Sequence, residues 1–140
     1  MILLDTNALS EQFRAKPDER VLTWLNDQPL ETLYLSAMTV AEIRAGVALM
    51  PEGKRKKTLS DRIEEKLLPL FAGRVLPFDM SCTRAYATVL ATAKQSGSGI
   101  AAADAVIAAT ALDGGFSVAT RDTSPFEAAG VTVINPWGEV

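Results

Sequence analysis

Five short apolar runs alternate with stretches of helical spacing along this chain, and that alternation narrows the possible folds more than any other feature. Residues 2–4, 32–35, 75–78, 116–120 and 131–134 read as strands. Helices are expected over residues 18–28, closed by Pro29, and from Ser36 as N-cap to about residue 50, stopped by Pro51. Further helices are expected over 54–71, 81–95 and 100–112, with a short one over 124–129 opened by Ser124-Pro125 and closed by Gly130. Strands that alternate with helices form a mostly parallel sheet covered on both faces, so the expected class is α/β. Functional groups in such sheets collect beyond the carboxyl ends of the strands.

At 140 residues and 48% hydrophobic composition, the chain is expected to form one domain over 1–140 with a sizeable core. No apolar stretch is long enough to cross a bilayer, and no basic leader precedes Asp5, so neither a membrane span nor a signal peptide is expected. Cys82 is alone, which excludes an internal disulfide and suits a cytoplasmic protein. The chain has no histidine. Imidazole acid–base catalysis, Ser-His and Cys-His nucleophiles and the usual zinc sites are therefore excluded. The net charge of −3 argues against a protein that coats nucleic acid through a broad basic surface, but allows an enzyme that meets it through a bound cation and a local basic patch.

Four carboxylates stand in unusual places. Asp104 has Ile100, Ala101, Ile107 and Ala108 as its one-turn neighbours, and no Lys or Arg lies within residues 100–112 to pair with it. The whole helix reads as buried, and a buried carboxylate is costly unless it is paired or binds a metal. Glu42 repeats the pattern among Met38, Thr39, Ala45 and Gly46, with Arg44 on another side of the helix. Asp5 follows the first strand directly, and Asp122 follows the fourth; either could instead cap a turn or helix. Two carboxylates about 5 Å apart repel by roughly 3 kcal/mol at an effective dielectric near 20. Clustered carboxylates must therefore take up protons or surround a cation, and an all-oxygen donor set selects Mg²⁺, with Mn²⁺ as a substitute.

These residues bring a family into view. Leu3-Leu4-Asp5-Thr6-Asn7, Thr39-Val40-Ala41-Glu42-Ile43, Asp104-Ala105-Val106-Ile107-Ala108-Ala109 and Ala119-Thr120-Arg121-Asp122 resemble, in order, the four motifs of the PIN-domain ribonucleases. The resemblance is specifically to the toxin component of VapBC-type toxin–antitoxin pairs. It implies a five-stranded parallel sheet with helices on both sides. It implies that Asp5 and Asp104 are direct metal ligands, that Glu42 and Asp122 complete the pocket, and that Asn7 and Thr120 hydrogen-bond beside the metal. Where relatives carry further acids past the fourth motif, this chain has Phe126 with Glu127 beside it, which leaves one metal or two open. A homodimer and a cognate antitoxin docked over the pocket are also implied, an Arg or Lys of that partner standing in for the cation.

The function expected is a magnesium-dependent endoribonuclease in which Glu42 or Asp122 orients or deprotonates the attacking water. Lys54-Arg55-Lys56-Lys57 could steer the RNA backbone or form a solvated helix face. Two alternatives stand beside it. A haloacid-dehalogenase-type phosphatase would need an Asp where Asn7 stands, and a binding module could keep the fold without catalysis.

Overall fold

The computed structural model describes residues 1–138. Its sheet has the strands β1 (Ile2–Leu4), β2 (Leu33–Ser36), β3 (Val75–Leu76), β4 (Ser117–Ala119) and β5 (Val133–Ile134), in the order β3-β2-β1-β4-β5. Every pairing is parallel, with Leu3 opposite both Tyr34 and Val118. All five carboxyl ends therefore lie on one edge of the sheet. β1 occupies the centre, flanked by β2 and β4, so residues leaving those three strands are neighbours.

Successive strand residues point to opposite faces. Leu4, Leu33, Leu35 and Ala119 face one core, closed by Ala8, Val21, Ile43, Ile63 and Phe71 from α1 (Thr6–Ser10), α2 (Glu19–Asp27), α3 (Ala37–Ala48) and the segment after α4 (Lys54–Arg62). Leu3 and Val118 face the other core. It is filled from α5 (Met80–Gln95), α6 (Ala102–Gly114) and α7 (Thr123–Ala128), chiefly by Val89, Ile107, Ala108 and Phe126. Among the described residues no helix is long and apolar enough to cross a membrane.

The differences from the sequence reading have local causes. Helix α1 and the 3₁₀ turn Glu11–Phe13 were not expected, because five residues are too few to show helical periodicity. The 54–71 segment is not one regular helix. After Arg62 it widens into a π-type turn over Ile63–Leu67 and tightens to 3₁₀ over Leu68–Phe71, where Pro69 has no N–H to donate. Pro77 likewise stops β3 at Leu76. Helix α6 starts at Ala102 and is capped after Gly114 by Gly115, whose φ of 71° is left-handed. It is not buried throughout: Ala102 is exposed and Asp104 half-buried, while Ala105 and residues 107–111 are covered.

Ser36 caps α3 as expected, accepting a hydrogen bond from the Thr39 amide at 3.0 Å from a fully buried position. That cap sets where α3 begins and hence where Glu42 lies. Ser36→Ala should lower the unfolding free energy by about 0.5–2 kcal/mol in urea denaturation, the usual cost of an N-cap lost to alanine.

Candidate active site

Asp5 leaves the end of β1 and caps α1, its Oδ1 accepting from the Thr6 amide at 2.8 Å. Its other oxygen, Oδ2, accepts from the Thr120 hydroxyl at 2.7 Å. Thr120 follows β4, and its oxygen also accepts from Asn7 Nδ2 at 3.3 Å and from the Asp122 amide at 3.1 Å. Asn7 Nδ2 lies 3.5 Å from Asp5 Oδ2, while Asn7 Oδ1 accepts from the Arg121 amide at 3.2 Å. Asn7 thus acts through its amide group as both donor and acceptor. A carboxylate here, as the phosphatase pattern requires, would lack that donor.

Asp5 is only 4% exposed, and burial pushes its carboxyl above the ordinary range. The Thr120 and Thr6 hydrogen bonds oppose that rise, and the charges of Glu42 and Asp122 add to it. Asp104, on the first turn of α6, is pushed up to about 6, first by burial and then by Asp5, Asp122 and Glu42 in that order. All four carboxylates therefore share one field. Glu42 is held in it by the Thr6 hydroxyl, which donates to Oε1 at 2.7 Å. Arg44, on another side of α3, is engaged 2.8 Å away by Glu64. Asp122 is exposed at the head of α7 and makes no capping bond with its side chain.

Thr6 is the residue that sequence reasoning passed over. It lies inside the first motif, and its hydroxyl gains meaning only once α3 brings Glu42 against α1. Phe126, by contrast, is fully buried in the second core and contributes nothing to the pocket, while Glu127 is exposed. Lys54–Lys57 open α4, and two of the four are spent locally: Lys56 pairs with Glu52 and Lys57 with Asp61.

The donor set fits a hard divalent cation. Every candidate ligand is oxygen, none of the four carboxylates forms an ion pair among the described residues, and their mutual repulsion is what a cation would relieve. Among the described residues, only Asp79, Cys82 and Asp113 form a set of three with ligand atoms all within 4.8 Å of one another. No three of the pocket carboxylates approach so closely. The Asp79–Cys82–Asp113 group lies at the opposite end of α6, where Ser81 Oγ is 2.7 Å from a carboxylate oxygen of each aspartate. Burial there pushes the Cys82 thiol up, away from the reactive thiolate.

A family model described as PIN domain matches residues 2–131. The chain is 59% identical over 137 residues to the VapC ribonuclease Y4jK of Sinorhizobium fredii, covering 98% of each sequence. It is 56% identical to Toxin FitB of Neisseria gonorrhoeae, covering 98% of this chain and 99% of that one. Among solved structures, the crystal structure of FitAcB from Neisseria gonorrhoeae superposes with a TM-score of 0.95 at 56% identity, covering 98% of this chain and 99% of that chain.

The raised Asp104 carboxyl has a sign that can be checked. The folded protein holds this proton up to about pH 6, whereas the unfolded chain releases it near 3.8. Its contribution to stability is thus present below pH 3.8 and lost as pH rises through 6. In EDTA, Asp104→Asn should therefore raise the melting temperature at pH 7.5 and reduce the stability lost between pH 5 and 7.5. An unchanged melting curve would mean that neither burial nor the other three acids raise the Asp104 carboxyl.

Proposed function

Since the chain belongs to the PIN-domain family, we propose that it is a metal-dependent endoribonuclease and the toxin of a toxin–antitoxin pair, acting in the cytoplasm as one domain over residues 1–140. The observation that carries the reading is the gathering of four acids at the carboxyl edge of the sheet, where Glu42 and Asp122 act on Asp5, and all three act on Asp104. The names of the relatives, a VapC ribonuclease and a toxin, support it.

Asp5 and Asp104, completed by Glu42 and Asp122, would hold a Mg²⁺ or Mn²⁺ ion, which when bound supplies Lewis-acid charge at the phosphodiester oxygens and a more acidic water. The chain's own residues account for the rest. Thr120 and Thr6 fix both oxygens of Asp5, so this ligand reaches the site without rotamer freedom to lose. Thr6 orients Glu42 through one oxygen and leaves the other free to accept a proton from the attacking water. Asp122, anchored only through its main chain and open to solvent, is the second acceptor and the one best placed to adjust to a substrate. The chain's partners are RNA as substrate and a cognate antitoxin, and its working form is a homodimer.

RNA cleavage measured with Mg²⁺ tests this. Wild-type protein should cleave single-stranded RNA and lose the activity in EDTA. Asp104→Asn should reduce the rate by on the order of 10²–10³-fold with the far-ultraviolet spectrum unchanged. Equal rates for the two proteins would end the metal-nuclease reading. Thr6→Val should cost more in activity than in metal affinity, because it frees Glu42 but leaves Asp5 held through the Thr6 main chain. A Thr6→Val protein with wild-type activity would remove Glu42 orientation from the mechanism.

A further inference from the structure

We propose that Arg121 is the RNA-phosphate anchor of the pocket, its guanidinium gripping the backbone of the bound strand beside the bond to be cut. The proposal rests on the nuclease reading and names a substrate-binding residue for it.

A pocket of four carboxylates repels a polyanion, so the strand needs cationic charge fixed close by. Arg121 lies between two pocket residues, Thr120 and Asp122, at the carboxyl end of β4. Its main chain is tied into the pocket network, with the amide donating to Asn7 Oδ1 at 3.2 Å while Asn7 Nδ2 reaches Thr120 and Asp5. The same bonds that fix Asp5 therefore hold the Arg121 main chain beside the pocket.

The guanidinium is also preorganised. It sits 5.7 Å from the centre of the Trp137 ring, and Trp137 is only 5% exposed and packed in the first core. Arg121 itself is exposed. A guanidinium held against a ring keeps its N–H edge available for the paired hydrogen bonds that phosphate accepts.

Its charge is not consumed elsewhere. Among the described residues Arg14, Arg20, Arg44, Lys56 and Lys57 all close ion pairs, and Arg121 closes none. Its field reaches Asp18, at the head of α2, and helps hold that carboxyl down. The guanidinium thus stands at the carboxyl end of β4, between Trp137 and the head of α2.

The test uses the full chain carrying Asp104→Asn, so that RNA is bound without being cut, titrated with a short single-stranded oligoribonucleotide at several salt concentrations. Adding Arg121→Gln should weaken binding roughly three- to tenfold and lower the slope of log affinity against log salt by about 0.7, the share of one phosphate on a single strand. Arg121→Lys should keep the slope and lose only part of the affinity, since it keeps the charge without the planar fork. In the otherwise wild-type enzyme, Arg121→Gln should act through KM rather than kcat. An unchanged affinity and slope in Arg121→Gln would overturn the proposal, even if that variant bound an antitoxin less well. If Arg121→Gln fails to fold, Arg121→Lys decides, and a lost salt slope there overturns it. A wild type that cuts no RNA would sink the nuclease reading by itself, while the titration would still judge Arg121.

Discussion

The hydrogen bond from Thr120 to Asp5 is the contact on which the site depends. It joins the ends of β1 and β4, the central strand and its neighbour, and it orients a carboxylate that is almost fully buried. A buried carboxylate is tolerated when its lone pairs are met, and here one oxygen takes the Thr6 amide and the other the Thr120 hydroxyl. The same hydroxyl then accepts from Asn7 and Asp122, so two strand ends and the heads of two helices share one oxygen. No buried side-chain nitrogen or oxygen among the described residues is left without a partner.

Around that fixed group the fold adds the other acids from different directions. Glu42 arrives from α3, whose start is set by the Ser36 cap, and Asp104 from the emerging first turn of α6. The positive end of the α6 dipole favours a carboxylate at that turn, but burial and three neighbouring charges outweigh it and raise Asp104. The gathered acids accordingly cost stability at neutral pH, as like charges held together do.

Much of the architecture could be read from the sequence, because the alternation of strand and helix survives one- or two-residue errors at the ends. β2 begins at Leu33 rather than Thr32 and α3 stops at Ala48 rather than near Met50, yet neither shift moves a site residue off its element. What escaped was short or irregular: the five-residue α1, and the π and 3₁₀ turns that Pro69 imposes on the end of the 54–71 segment. The carboxylates were legible for different reasons. Asp104 stood out as an unpaired charge among apolar neighbours, although its turn of α6 is half open to solvent rather than buried. Asp122 had only its place after a strand and its motif.

The sequence by itself determined the class of fold and narrowed the chemistry open to it. The strand–helix rhythm admits a parallel sheet, and a chain without histidine and with one cysteine leaves carboxylates, hydroxyls, amines or a metal held by oxygen. Tertiary structure alone decided how those donors are held. Thr6 meets Glu42 across 36 positions of chain, and Thr120 meets Asp5 across 115. Arg121 finds Trp137 only because the segment after β5 folds back beside the end of β4. Periodicity reports which face a side chain takes on its own element. Which hydroxyl, ring or amide waits for it on another element is set by the packing of the sheet.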